Sequence, residues 1–293
     1  MRVLPLRFLL LGLLVITGCA GCARAQSSLS GVTTIENIGS DTIVNLALAW
    51  AEAYQQQHPD VRIAVTGGGS GTGIASLING TADIANASRA IKPEERQEAS
   101  GAQPYEIEIA RDAIAVIVHP ANPVDALTLQ QISDIFSGKI TNWKDLGGED
   151  RPIVLLSRET NSGTHVFFLE QVVRLGQKEN KTLFSPDTLL LPSSEGITAE
   201  IRQNVNAIGY DGLGYVTPDV KTIAVAATPG KPFVLPGIES VNDGSYPIAR
   251  PLYMYTRGEP AGAKTFIEAA LSSSPPPTRT RWRARRLPAN MRT

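Results

Sequence analysis

Cysteine is absent from everything beyond residue 22: the only two, Cys19 and Cys22, stand close to the N-terminus. The body of the chain therefore has neither a disulfide framework nor a thiolate metal site, and its stability has to come from a packed core. Histidine is nearly as scarce. His58, His119 and His165 are the complete set, with no two at helical ligand spacing, which argues against a dedicated zinc site. Positive charge is scarce where it would matter for nucleic acid. The formal net charge is −1, but two arginines precede residue 19 and six follow residue 271, so the stretch between carries a formal −9. An acidic body excludes nucleic acid as the expected partner. Any anion site in it has to work through local geometry, because the overall field repels the ligand.

Long apolar runs are missing too. The longest, Phe8 to Ile16, is too short to cross a bilayer and follows Arg2 and Arg7, so it reads as the core of a signal peptide. Ile16-Thr17-Gly18-Cys19 fits a bacterial lipobox, with Cys19 acylated (a palmitate-type anchor) and left as the mature N-terminus. Cleavage after the small residues Ala23 and Ala25, with loss of Cys19, is the alternative. The expectation is a signal peptide over 1–18, a linker over 19–32, and an extracytoplasmic, membrane-anchored monomer. At the other end, three serines and three prolines introduce a stretch with six arginines and no acid. Residues 272–293 read either as a basic arm or as the product of a shifted reading frame.

Between these ends, short apolar runs alternate with helical patterns, the signature of an α/β fold with largely parallel strands. Strands are expected at 34–38, 62–66, 83–87, 107–119, 153–157, 207–215, 221–225 and 250–256. Helices are expected at 43–57, 74–78, 128–136, 164–173 and 261–271. Ile43, Leu46, Ala47, Trp50 and Tyr54 fall on one helical face.

Four segments share one design, in which a strand ends, small polar residues follow and a helix begins. They are Gly39-Ser40-Asp41-Thr42, Gly69-Ser70-Gly71-Thr72-Gly73, Ala87-Ser88-Arg89, and Arg158 through Ser162-Gly163-Thr164. Helix N-termini present unpaired N–H groups at a positive dipole end, hydroxyls add rotatable donors, and glycines allow close backbone approach. Arg89 and Arg158 can add forked, charge-assisted bonds. Converging ends of this kind would cage a tetrahedral oxyanion, although for any one loop alone a helix-capping role is the default reading. The glycine run is not a Walker A loop, because no Lys-Ser/Thr follows Gly73, nor does its spacing fit the dinucleotide fingerprint. Gly-x-Ser-x-Gly is also absent, and His165 has no evident orienting partner.

These loops, with Ile135-Phe136-Ser137-Gly138-Lys139-Ile140-Thr141-Asn142-Trp143, Ala207-Ile208-Gly209-Tyr210 and Arg250-Pro251-Leu252-Tyr253, closely resemble the phosphate-binding periplasmic proteins of the PstS family over about residues 33–271. The resemblance implies a two-lobed, type II periplasmic-binding fold with a central cleft that closes over inorganic phosphate and delivers it to an ABC permease. It implies no bond breaking and no cofactor. Thr42, Ser70, Ser88, Arg158, Ser162, Gly163 and Thr164 are the contacts it implies, and Ser40, Asp41, Gly71, Thr72 and Arg89 complete the candidate set. One lobe is expected over 33–114 and 218–271, the other over 115–217, with hinges at 111–118 and 216–225.

The chain departs from the family at Asp41, where better-known members carry Thr, and at Arg89, where they carry Asp. An ionised Asp41 can accept the proton that phosphate retains near neutral pH and that sulfate lacks. It can equally be the N-cap of the helix that follows. A carrier of sulfate, molybdate or phosphonate, and a hydrolase using Ser70 or Ser162, are the rival readings.

Overall fold

The computed structural model describes residues 32–101, 103–260 and 262–272. The signal peptide expected over 1–18, the acylation site expected at Cys19 and the arginine-rich stretch beyond Ser272 lie outside the described residues. Strand β1 (Thr33–Gly39) leads into helix α1 (Asp41–Gln57), β2 (Val61–Thr66) into α2 (Ser70–Asn79), and β3 (Ile84–Ala87) into α3 (Pro93–Glu98). The 15-residue β4 (Pro104–Val118) follows, then β5 (Ala126–Thr128), α4 (Leu129–Phe136), β6 (Val154–Arg158) and α5 (Gly163–Phe168). Next come β7 (Leu189–Leu191), α6 (Ser194–Gln203), β8 (Ala207–Gly212), β9 (Lys221–Thr222) and β10 (Ala224–Ala226). Helix α7 (Ile238–Asn242), β11 (Ala249–Arg257) and α8 (Lys264–Ser272) complete the described chain.

The α1 periodicity is realised: Ile43, Ala47, Trp50 and Tyr54 are buried, Leu46 packs half-buried against the same core, and Ala51 joins the buried face. The helix begins two residues before its apolar face does. Ser40, not Asp41, occupies the N-cap position, so Asp41 sits in the first turn, where a carboxylate complements the helix dipole. Helix α6 is an addition to the expected set. Its cap is Ser193, whose hydroxyl accepts the Gly196 N–H at 3.0 Å, and Ile197 and Ile201 bury one face four residues apart.

The main sheet runs β2-β1-β3-β11-β4-β8-β6-β7, with β9 also on β4. Its two flanks are parallel, β2-β1-β3 at one end and β8-β6-β7 at the other. The centre is antiparallel, through β11 and β4, so the sheet is mixed and less parallel than the alternating pattern suggested. Strand β4 links the flanks. Residues 104–113 pair with β11, and 114–118 pair with β8. Its second half is buried on both faces. Ile114, Val116 and Val118 join one apolar cluster, while Ala115 and Ile117 join another with Ile197 and Ile201 of α6. Such a sandwiched strand requires an unbroken apolar run, and Ala113 to Val118 supplies it.

The first flank packs around Ile43, Trp50, Ile84, Ile109, Met254 and Phe266, and the second around Ile132, Phe136, Phe168, Ile208 and Tyr210. Each fully buried side chain of this size contributes about 1.5–3 kcal/mol. Residues 218–248, expected with the first lobe, pack with the second flank instead. Ile223, Val225, Val241, Tyr246 and Ile248 lie in its cluster, because β9 adds to β4 beside Ile117 and Val118 and β10 pairs with β5. The chain therefore returns to the first flank at the start of β11, where Ala249 faces Ala113, and not at 216–225.

Candidate functional site

The ends of β1, β3 and β6 and the first turns of α1, α2, α5 and α6 meet at one place. Thr42 and Thr164 share a hydrogen bond at 3.0 Å between hydroxyls 122 residues apart. Ser70 Oγ accepts the Ser88 N–H at 3.0 Å and lies 3.2 Å from Ser88 Oγ. Gly163 closes the group. A Cβ there would overlap Ser70 Oγ and stand 2.6 Å from Ser88 Oγ, so only glycine brings the α5 turn this close. Ser162 caps α5, its hydroxyl accepting the Thr164 N–H at 3.2 Å. Ser40, Ser70, Ser88, Ser162 and Thr164 are all buried. A buried cluster of hydroxyls and helix N-termini is a set of donors for an anion.

Arg158, 2% exposed, ends β6 beneath this cluster. Its Nε donates to Leu191 O at 3.3 Å, Nη2 to Pro192 O at 2.8 Å and Nη1 to Ser194 Oγ at 2.8 Å. Nη1 also stands 3.2 Å from Asp41 Oδ2, which in turn accepts the Ser194 N–H at 2.9 Å. Asp41 therefore orients the arginine through Oδ2, and is not the helix cap. Its Oδ1 faces Gly67, since a Cβ at Gly67 would lie 3.2 Å from it.

Three residues of the expected set turn elsewhere. Arg89 forks onto Glu95, with Nη1 2.7 Å from Oε2 and Nη2 2.5 Å from Oε1, and also donates to Ala90 O. A carboxylate six residues on, in the first turns of α3, claims the charge that the buried β3 suggested for a ligand. Gly71 donates its N–H to Asn161 O at 3.0 Å. Thr72 is exposed and bonds back to Gly68 O at 2.7 Å within its own turn.

The sequence reading missed a third buried arginine. Arg250, at the start of β11, is 1% exposed. Its Nη2 donates to Asp112 Oδ2 at 2.9 Å and reaches Thr42 Oγ1 at 3.3 Å, while Nη1 donates to Ser88 O at 3.0 Å. The segment Arg250 to Tyr253 was visible as a motif, but nothing local marks its arginine as a partner of Asp112, 138 residues away. Ser194 and Asp211 were missed as well. Ser194 Oγ donates to Asp211 Oδ1 at 2.8 Å, and the Gly212 N–H reaches the same oxygen at 2.8 Å.

Burial pushes the Asp211 carboxyl up to about 7, and the neighbouring Asp112 adds to the rise. The Ser194 hydrogen bond and the Arg158 charge oppose it. Burial also raises Asp112, against the pull of Arg250. His165 is held below its ordinary value by burial. It sits 3.0 Å from Ser157 Oγ and packs beside Phe184, with Ser157 also bonded to the Tyr210 hydroxyl at 2.5 Å. The three form a polar knot in the second core.

A family model described as a PBP superfamily domain matches residues 24–274. Among curated proteins, the chain is 35% identical to the phosphate-binding protein PstS of Pseudomonas aeruginosa in a 256-residue alignment that covers 82% of this chain and 77% of that one. It is 33% identical to PstS of Bacillus subtilis over 247 residues, 84% of this chain and 77% of its relative. Among solved structures, it is similar to a protein from Clostridium perfringens, described as a phosphate ABC transporter substrate-binding protein and solved with bound phosphate. That match has a TM-score of 0.71 and 38% identity, covering 82% of this chain and 93% of the other. An ABC-type phosphate transport receptor from Vibrio cholerae matches with a TM-score of 0.65 and 32% identity, over 81% and 93% of the two chains.

Proposed function

The chain belongs to the PBP superfamily and, within it, to the phosphate-binding PstS family, and we propose that it captures inorganic phosphate and delivers it to an ABC importer. It is a binding protein and not an enzyme. The observation that carries the reading is the approach of Gly163 to Ser70 and Ser88, which packs the α5 turn against hydroxyls from α2 and from the residue that follows β3. Thr42, Ser70, Ser88, Ser162 and Thr164 supply hydroxyl donors, the α5 turn supplies N–H groups, and Arg158 supplies positive charge. Removing phosphate from water costs several kcal/mol per charge at least, so a full set of donors is required in exchange.

Asp41 performs two tasks in this reading. Oδ2 holds Arg158, and Oδ1 accepts the proton of phosphate, which sulfate cannot offer. Arg250 positions Thr42 and the Ser88 carbonyl from below. The two flanks act as lobes that part to admit the anion and close over it, flexing where β4 passes from β11 to β8 and where β11 begins. The protein works outside the cytoplasmic membrane, as a monomer held there by acylated Cys19. Among the described residues no helix is long and apolar enough to cross a membrane.

Titration calorimetry of the leaderless chain with phosphate, sulfate and molybdate tests this. Stoichiometric phosphate binding with much weaker sulfate binding is expected at neutral pH. Equal affinity for both would overturn the phosphate assignment, and no binding of any of the three would overturn the anion site.

A further inference from the structure

The glycine turn before α2 is built to receive a protein side chain. Gly68 and Gly69 hold φ of +112° and +94°, a region that L side chains rarely adopt, and so the turn presents the Gly68 carbonyl and the Gly71 N–H on one side. Asn161, in the loop between β6 and α5, meets both. Its Nδ2 donates to Gly68 O at 2.9 Å, and its own carbonyl accepts the Gly71 N–H at 3.0 Å. The fit leaves no room for a methyl group. A Cβ at Gly69 would stand 2.8 Å from Asn161 O, and one at Gly71 3.3 Å from it.

The two partners come from opposite flanks of the sheet. The glycine turn joins β2 to α2 on the first flank, and Asn161 follows β6 on the second. Both Asn161 and Gly68 are exposed, so these bonds lie at the rim, while Ser70 and Ser88 behind them are fully buried. Two other bonds between the flanks, Thr42 to Thr164 and Ser194 to Asp41, use groups assigned above to the anion or its arginine. The Asn161 side-chain bond uses none of them.

We propose that Asn161 is a positioning residue, a rim clasp whose paired bonds to the glycine turn hold the lobes shut and set how long phosphate stays bound. The clasp rests on the function proposed above. It acts only once the lobes have met, so it governs release and leaves capture and anion choice alone.

Stopped-flow phosphate binding and release by wild type, Asn161→Ala and Gly69→Ala tests it. Asn161→Ala removes the side-chain bond, and its koff should rise by about threefold to tenfold, the worth of one hydrogen bond. Its kon and its phosphate-to-sulfate preference should not change. Gly69→Ala attacks the same contact from the facing loop and should raise koff in the same direction. If wild type binds phosphate and both variants release it at the wild-type rate, the clasp is wrong. A slower kon with unchanged koff would place Asn161 in the encounter and would equally overturn it. If wild type binds no phosphate, the function reading falls and the clasp falls with it.

Discussion

Arg158 and Asp211 are joined through one hydroxyl: Ser194 Oγ takes an N–H from the arginine at 2.8 Å and gives its own proton to the carboxyl at 2.8 Å. Ser194 also places its backbone N–H on Asp41, at 2.9 Å. The first residue of α6 thus ties two carboxyl groups to the arginine proposed to hold phosphate. Three buried or half-buried acids, Asp41, Asp112 and Asp211, surround two buried arginines, and the cluster is balanced only when one acid is neutral.

Replacing Arg158 with lysine should separate charge from geometry. Lysine keeps the positive charge but cannot reach Leu191 O, Pro192 O, Ser194 and Asp41 together, as the guanidinium fork does. Phosphate affinity should fall by about a hundredfold or more, in line with the cost of breaking a buried charged hydrogen-bond set. Calorimetry on Arg158→Lys, with circular dichroism to verify folding, measures it. Affinity within a few-fold of wild type would remove Arg158 from the site.

Asp211 predicts how stability responds to pH. Its carboxyl titrates near 7 in the folded protein against an ordinary 3.8. The folded state therefore binds this proton more tightly than the unfolded state does. The stabilisation is complete below about pH 4, is lost as pH rises through 7, and does not change further above it. Asp211→Asn keeps an oxygen for Ser194 and Gly212 and has no proton to lose. Urea titrations from pH 4 to 8 should show wild type losing ground to the variant by up to about tenfold in the folding constant per pH unit. Parallel curves would show that Asp211 is ionised throughout.

Gly163→Ala places a methyl group on Ser70 Oγ and within 2.6 Å of Ser88 Oγ. Overpacking of this kind costs about 1–3 kcal/mol. Here the strain falls between the proposed lobes, so it should appear as lost affinity more than as lost stability. A melting temperature near wild type with phosphate affinity reduced at least about tenfold is expected. The reverse pattern would mean that Gly163 is needed only for the fold.

The four loops were legible because each is a local event, a strand end followed by small polar residues and a helix start. The apolar face of α1 was legible from the spacing of Ile43, Ala47, Trp50 and Tyr54. What escaped was pairing at a distance. Arg250 and Asp112 are 138 residues apart, and Ser194 and Asp41 are 153 apart. A charge in an apolar strand signals that a partner exists without saying which. Arg89 shows the converse error: buried neighbours suggested a ligand, while Glu95, six residues on, takes both arms of the guanidinium. Helix α6 had a readable signal in Ser193, Ile197 and Ile201, but its polar surface masked the short apolar stripe.

Asp41→Asn is the sharpest test of anion choice. Asparagine keeps an acceptor for the Ser194 N–H but loses the ionic bond to Arg158, and its amide can turn a donor toward the anion. For phosphate the losses outweigh the gain, because a weaker hold on Arg158 and a weaker acceptor for the phosphate proton are only partly offset by the removal of negative charge. Sulfate shares the weaker hold on Arg158, but it has no proton to give Asp41 and meets only repulsion there, so removing the charge favours sulfate over phosphate. Phosphate affinity should fall modestly while sulfate affinity rises, narrowing the ratio by about tenfold or more, the scale of one charged hydrogen bond. Competition calorimetry at pH 7 reads both. If the ratio is unchanged, Asp41 serves Arg158 alone, and the discrimination against sulfate has to come from another buried carboxyl, with Asp211 the nearest to Arg158 by way of Ser194.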